Sequence, residues 1–201
     1  RAGSLAFTAT GDLAPAAKHD HFDLVTTRGA LRLTDPRRFG AVVWSPALDR
    51  PPAANLLARL GAEPFDESLT PARFHAELHP RHTAVKAALL AGDIVVGAGN
   101  IYACEALFAA GIDPRTRCCK LSRPRSERLL ASVRTTLARA LELGGSTLRD
   151  FRDSHGADGA YQREARVYGR AGLACERCGK EIRRIEQAQR ATFFCPGCQK
   201  R

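Results

Sequence analysis

The 201-residue sequence contains no methionine, and it opens on Arg1. We therefore expect that the start of the protein was removed or lies outside the printed sequence. No apolar run approaches the roughly 18 residues that a membrane-spanning helix needs, which excludes a transmembrane protein. Aromatic residues make up only 6%, but 44% of the chain is hydrophobic, so it can bury a core and is not disordered.

Acidic residues are scarce relative to basic ones. The chain has 31 Lys and Arg against 21 Asp and Glu, a formal net charge of +10. Residues 160–201 hold ten basic and four acidic side chains, so +6 of this excess falls in the last fifth of the chain. A local positive excess favours a polyanionic partner, nucleic acid first. A generally basic, solvated surface is the alternative interpretation.

The cysteine count of seven is odd, which argues against a secreted disulfide framework and for a reducing compartment. Four of them form two Cys-x-x-Cys pairs, sixteen residues apart: Cys175, Cys178, Cys195 and Cys198. Four thiolates in two tight turns are typical of tetrahedral zinc with no open coordination position. We therefore predict one structural Zn²⁺. Cys104, Cys118 and Cys119 receive no functional prediction.

The pattern of hydrophobic residues divides the chain into three segments and predicts an α+β multidomain protein. Alternation predicts a hairpin over 21–33, and the apolar run 40–44 predicts a further strand, in a segment that ends at 52. Helical periodicity over 53–165 predicts helices at 72–79, 83–91, 100–110 and 124–143. The Asp/Gly/Arg-rich stretch 151–165 predicts a mobile loop. Residues 166–201 hold the cysteine module, with a β-hairpin between its two cysteine pairs.

Three local motifs could bind a phosphate backbone or a base. The turn 97–100 joins two helices; Asn100 is predicted to cap the second, whose free amides favour an anion, although a plain interhelical turn has the same sequence. Arg190 near the hairpin tip suits phosphate or a solvated turn equally. The loop 34–40 carries Arg37 and Phe39, which could read bases. Alternatively, Asp35 pairs with Arg38 over a buried Phe39.

The motifs occur in a fixed order: Lys18-His19-Asp20-His21, Asp35-Pro36-Arg37-Arg38-Phe39-Gly40, Gly97-Ala98-Gly99-Asn100-Ile101-Tyr102-Ala103-Cys104-Glu105, Val167-Tyr168-Gly169-Arg170 and Gln189-Arg190-Ala191-Thr192-Phe193-Phe194-Cys195-Pro196. This series resembles the formamidopyrimidine-DNA glycosylase family over essentially the whole chain. The resemblance implies part of a β-sandwich domain at 1–52, a helix–two-turn–helix domain at 53–165 with a mobile lesion loop at 150–162, and a zinc finger at 166–201.

The resemblance also implies a function, the base-excision repair of 8-oxoguanine and formamidopyrimidines by a DNA glycosylase and abasic-site lyase. The expected partner is double-stranded DNA with oxidised bases or abasic sites, bound by a monomer at the bacterial nucleoid in the cytoplasm. Two residues would fill the gap left by the flipped base, Arg37 and Phe39. The residues that would hold the DNA backbone are His19, Arg81, Lys86 and Asn100. Arg190 would grip the lesion phosphates and is assigned to the second elimination; because arginine rarely releases a proton, we expect an electrostatic clamp.

The family's proline nucleophile, with its neighbouring Glu and a later Lys, would precede Arg1, and a gap-filling Met would align with Arg1. We therefore expect the 201 residues to bind damaged DNA without cleaving it. One alternative is a non-catalytic, truncated DNA-binding protein, and another is an endonuclease VIII-like glycosylase for oxidised pyrimidines. A zinc-ribbon module of transcription or RNA machinery would leave the loop 34–40 and the turn 97–100 unexplained.

Overall fold

The computed structural model describes residues 3–9, 13–36, 38, 40–146 and 160–201. Contacts between Cα atoms group the chain into two compact units. The first comprises residues up to 57 together with 140–164, and the second comprises 58–139 together with 165–201. The helical segment and the cysteine module therefore belong to the same unit.

The first unit contains a three-stranded antiparallel sheet. Its strands are β1 (Ser4–Ala9), β2 (Asp20–Thr26) and β3 (Gly29–Thr34), in the order β1-β3-β2. The predicted hairpin over 21–33 is thus confirmed as β2 and β3. Arg32 on β3 donates two hydrogen bonds of 2.8 Å to the Asp23 carboxylate, which pairs the two strands side chain to side chain.

The strand predicted over 40–44 is wrong. These residues run without strand pairing, and Trp44 is 82% exposed. A strand is defined by hydrogen bonds to a neighbour, and the described part of the chain places no strand beside this segment. The run of apolar residues alone therefore could not show whether a pairing partner was present. A short helix, α1 (Ala53–Leu57), follows.

The second unit is built from four helices around one apolar core. They are α2 (Pro71–Leu78), α3 (Val85–Ala91), α4 (Asn100–Ala109) and, as far as residue 139, α5 (Arg123–Glu142). Each helix lies within two residues of its predicted position. The start of α2 is set by Thr70, whose hydroxyl accepts the amide of Arg73, and by Pro71 at the first helical position. Fully buried side chains fill the core, among them Phe74, Leu78, Leu89, Leu107, Leu129 and Val133.

The predicted hairpin of the cysteine module is confirmed as β4 (Arg183–Gln187) and β5 (Arg190–Phe194). Its apolar side chains do not form a core of their own. They join α4 in a second buried cluster that contains Cys104, Phe108, Val167, Ile182 and Phe193. The cysteine module therefore packs on the helical segment through α4.

Glu105 is a buried carboxylate on α4, with only 5% of its surface exposed. Its two oxygens accept three backbone N–H groups, from Arg166 at 2.9 Å, Val167 at 3.0 Å and Tyr168 at 2.8 Å. A charged acceptor makes each of these bonds stronger than a neutral one would. Glu105 thus fastens the segment that leads into the cysteine module to the side of α4.

We expect Glu105→Ala to destabilise the second unit by about 3 kcal/mol or more, because three buried N–H groups would lose their acceptor. Urea unfolding followed by circular dichroism measures this change.

The matched control is Glu127→Ala on α5, where Glu127 forms an exposed ion pair with Arg123 at 3.1 Å. We expect the control to change stability by no more than about 0.5 kcal/mol, as exposed pairs contribute little. Equal stability of the two variants would contradict the role given to Glu105.

Candidate nucleic-acid interface

The glycine-rich turn before α4 brings backbone amides to an open surface. Gly97 adopts φ +84°, a left-handed conformation that favours glycine. A side chain built on Gly99 would meet no atom within 4 Å, so the space in front of this turn is open. Because the first amides of a helix have no acceptor within that helix, the start of α4 can receive an anion such as a phosphate.

The prediction that Asn100 caps α4 is wrong. The capping position is held by Gly99 without a side-chain hydrogen bond, and Asn100 is the first residue of the helix. Its amide turns instead towards β5, where Nδ2 donates to the carbonyl oxygen of Ala191 at 2.9 Å. Asn100 therefore joins the glycine turn to the hairpin.

Lys86 lies at the centre of this junction and is fully buried. Its ammonium group donates to Oδ1 of Asn100 at 2.6 Å, to Oγ1 of Thr192 at 2.7 Å and to the carbonyl oxygen of Ala191 at 3.3 Å. The three donors of a lysine ammonium thus each have an acceptor within the protein. One buried side chain from α3 thus links the start of α4 to β5.

Burial lowers the pKa of Lys86, since removal from water disfavours the charged form. Nearby Cys104 raises the pKa, and nearby Arg190 lowers it. Two basic side chains, Lys86 and Arg190, thus belong to the elements that meet at the start of α4.

Arg190 is exposed at the first position of β5, directly after the hairpin turn. The two turn residues, Ala188 and Gln189, have φ values of +49° and +57°. Positive φ at both central residues is the geometry of the tight two-residue turn that suits a twisted hairpin. The turn is short, so it places the Arg190 backbone at a defined point beside Ala191 and Thr192.

Arg81 lies just before α3 and already has partners within the protein. Its Nη1 forms an ion pair with both carboxylate oxygens of Asp93, at 2.9 Å each. Its Nε donates to the carbonyl oxygen of Glu77 at 3.1 Å. A phosphate at Arg81 would therefore have to share the guanidinium with Asp93.

His19 belongs to the first unit, in the turn before β2. Its carbonyl oxygen accepts the amide of Asp35 at 2.8 Å, and the carboxylate of buried Asp35 accepts the amide of Gly40 at 2.5 Å. Asp35 thus fixes both ends of the loop 35–40. The backbone amide of exposed Arg38 donates to the Asp35 carbonyl oxygen at 3.2 Å.

Several predicted positions lie outside the described residues. They are Arg1, the two gap-filling candidates Arg37 and Phe39, and residues 150–159 of the predicted lesion loop.

The four cysteines of the two pairs converge. Their sulfur atoms all lie within 4.8 Å of one another, with 3.4 Å between Cys178 and Cys195 and 3.8 Å between Cys175 and Cys198. Hydrogen bonds, chiefly from the backbone amide of Lys180, lower the pKa of Cys178 to about 7, whereas burial raises the pKa of Cys195 and raises that of Cys198 to about 12. The thiolate that a metal requires is thus favoured at Cys178. This arrangement fits the tetrahedral four-thiolate set typical of structural zinc.

Two glycines in the cysteine turns are required for different reasons. Gly179 has φ +70°, which a side chain would strain. A Cβ on Gly197 would instead lie 2.8 Å from the sulfur of Cys178, so this position needs space and not a special backbone angle. The second turn is also held by buried Gln199, whose Oε1 accepts the amide of Cys195 at 2.8 Å.

Several residues that build the site were not predicted from the sequence, chiefly Thr192, Glu105 and Gln199. Thr192 and Glu105 do stand inside the quoted motifs, and a polar residue in an otherwise apolar stretch is the one signal that could have found them. Of the remaining cysteines, Cys104 and Cys118 are buried, and the sulfur of Cys119 is 3.8 Å from Nδ1 of His82.

None of the helices in the described ranges has the length and apolar character to cross a membrane.

Two family models match the chain. The formamidopyrimidine-DNA glycosylase H2TH domain matches residues 60–152, and the zinc finger found in FPG and IleRS matches residues 172–201.

Relatives of similar sequence cover most of the chain. The formamidopyrimidine-DNA glycosylase of Albidiferax ferrireducens is 55% identical over 198 residues, which are 98% of this chain and 72% of the relative. That of Bordetella avium is 59% identical over 186 residues, which are 92% of this chain and 68% of the relative.

Solved structures agree with these matches. A Lactococcus lactis Fpg in complex with DNA that contains an abasic site has a TM-score of 0.83 and 34% identity, covering 100% of this chain and 72% of its own. Thermus thermophilus Fpg has a TM-score of 0.83 and 36% identity, covering 99% and 73%. A Lactococcus lactis Fpg mutant solved with Fapy-dG containing DNA has a TM-score of 0.84. By sequence, domain content and fold, the chain belongs to the formamidopyrimidine-DNA glycosylase family.

Proposed function

We propose that the chain binds double-stranded DNA containing an oxidised purine or an abasic site, within base-excision repair. The observation that carries this proposal is the junction at Lys86, which holds the glycine turn of α4 and the hairpin of Arg190 side by side. Solved relatives in complex with abasic-site and Fapy-dG DNA support the class of ligand.

Phosphates would meet two kinds of donor at this surface. The amides at the start of α4 offer directed hydrogen bonds, and the exposed guanidinium of Arg190 offers a full charge in fork geometry. Lys86 has its three donors occupied within the protein. We propose that Lys86 acts on DNA through Asn100 and β5, by setting their positions, and that Arg190 acts as the electrostatic clamp.

Recognition of the lesion is assigned by the family resemblance. We propose that Arg37 and Phe39 fill the gap left by the flipped base, that residues 150–162 cover that base, and that His19 and Arg81 hold the backbone. We further propose that the protein is a monomer in the bacterial cytoplasm at the nucleoid, and that its domains follow the divisions 1–52, 53–165 and 166–201.

The four cysteines are proposed to hold one Zn²⁺ with a structural role. Their sulfur atoms already converge to the spacing of a single tetrahedral site. Four thiolates leave no position for substrate or water, so the metal would supply folding free energy and no chemistry. The hairpin that carries Arg190 lies between the two cysteine pairs, so its position depends on this site.

We expect Arg190→Ala to weaken DNA binding and to lower the slope of log affinity against log salt by about 1, the value for one lost phosphate contact. Fluorescence anisotropy with a labelled duplex, measured over a range of salt concentrations, gives the slope.

The charge-matched control is Arg73→Ala on α2, where Arg73 pairs with Glu77 at 2.7 Å. This variant removes the same charge outside the proposed interface, and its slope should equal that of the unaltered chain. If Arg190→Ala left the salt slope unchanged, the clamp role would be refuted.

Removal of zinc should abolish DNA binding because the cysteine module would unfold; the free energy of binding a structural zinc is on the order of 10–16 kcal/mol. Cys178→Ser should have the same effect as removing zinc with a chelator. Cys119→Ser, outside the cluster, should leave both the zinc content and the DNA affinity unchanged. Zinc content by mass spectrometry and DNA affinity are measured on the same samples. Release of zinc with intact affinity would overturn the structural role.

For a polypeptide of these 201 residues, we predict binding without strand cleavage, because the proline amine of the family's reaction is not among them. Incubation with an 8-oxoguanine duplex and borohydride tests this point, since a Schiff base would be reduced to a permanent link. An undamaged duplex of the same sequence reports the preference for the lesion. A covalent protein–DNA adduct would show the prediction to be wrong.

A further inference from the structure

We propose a second metal site, separate from the four cysteines, formed by His75 and His79 at the end of α2. The site would take a borderline divalent transition ion such as Ni²⁺ or Zn²⁺, through one nitrogen of each imidazole, with water completing the coordination. This inference does not depend on the DNA-binding function.

The two histidines are one helical turn apart and share a face. The amide of His79 donates to the carbonyl oxygen of His75 at 2.9 Å, so the helical geometry extends through both residues. Their ring centroids are 5.1 Å apart, and the ring planes are inclined by 37°. Side chains at positions i and i+4 of a helix project together, and two histidines at this spacing can chelate one ion.

A hydrogen bond to α5 orients the ring of His75. Its Nδ1 lies 3.0 Å from the hydroxyl oxygen of Ser126, a fully buried residue at the start of α5. A protonated Nδ1 that donates to this oxygen leaves the lone pair on Nε2, the nitrogen available to a metal. Ligating histidines commonly hold their second nitrogen in this way, which sets the tautomer and the ring angle.

The ring of His75 is half-buried, whereas His79 is exposed. One ligand is therefore already ordered in the free protein, and only the exposed ring must be immobilised when a metal binds. Neutral imidazole nitrogens suit nickel, copper and zinc, and they discriminate against magnesium and calcium, which prefer oxygen.

A bound ion would also hold the last turn of α2 closed. The carbonyl oxygens of Glu77 and Leu78, between the two histidines, accept the side chain and the amide of Arg81. Metal binding at His75 and His79 should therefore slow local opening at His79 and Arg81, because any ligand that binds only the folded form stabilises that form.

The test uses the zinc-loaded 201-residue chain titrated with Ni²⁺ by isothermal titration calorimetry, with zinc content followed by mass spectrometry. We expect one Ni²⁺ to bind without release of zinc. An outer-shell partner is commonly worth about 10–100-fold in metal affinity. Ser126→Ala should therefore lower the Ni²⁺ affinity by about tenfold, and His79→Gln, which removes a ligand, by at least as much.

The control is His82→Gln, which removes an exposed histidine beyond the end of α2 whose ring lies beside Cys119. Its Ni²⁺ affinity should equal that of the unaltered chain. Amide hydrogen exchange should slow at His79 and Arg81 on addition of Ni²⁺. Unchanged affinity in His79→Gln, binding of Ni²⁺ only with loss of zinc, or unaltered exchange at these two amides would each overturn the proposal.

Discussion

The packing of the second unit depends on one buried ammonium group, that of Lys86. Lys86 has no contact with bulk water, so its charge must be stabilised by protein acceptors. Those acceptors come from α4, 14 residues from Lys86 in sequence, and from β5, 106 residues away. Any shift of the hairpin along its own axis would remove Thr192 from Lys86 and leave a buried charge under-satisfied, so the junction specifies one arrangement.

Glu105 on α4 applies the same principle with the opposite sign of charge. Lys86 offers donors to the hairpin, and Glu105 offers acceptors to the segment that precedes it. The cysteine module is therefore attached to the helical segment at its start and at its hairpin, in each case through a buried charge that needs these partners. Arg177, whose guanidinium lies 4.4 Å from the ring centre of Phe108, adds a third attachment on α4.

Features that depend on short spacing could be predicted from the sequence. The paired cysteines, the hairpin between them and the helices of the second unit follow from residue type and local periodicity, and the structure has them close to the expected positions. Features that depend on a distant partner could not. Asn100 is a residue type that often caps helices. Here its side-chain amide instead accepts from buried Lys86 and donates to a carbonyl oxygen on β5. The segment 40–44 has an apolar run typical of a strand, but strand pairing depends on residues elsewhere in the chain.

The two-residue turn at Ala188 and Gln189 has an entropic consequence. A long loop at the hairpin tip would have to be ordered each time a partner bound, at a cost of about 1–2 kcal/mol for each residue fixed. Here the backbone beside Arg190 is already set by the turn and by the ladder of β4 and β5. Only the side-chain torsions of one arginine remain to be restricted, so most of its electrostatic attraction for a phosphate would appear as affinity.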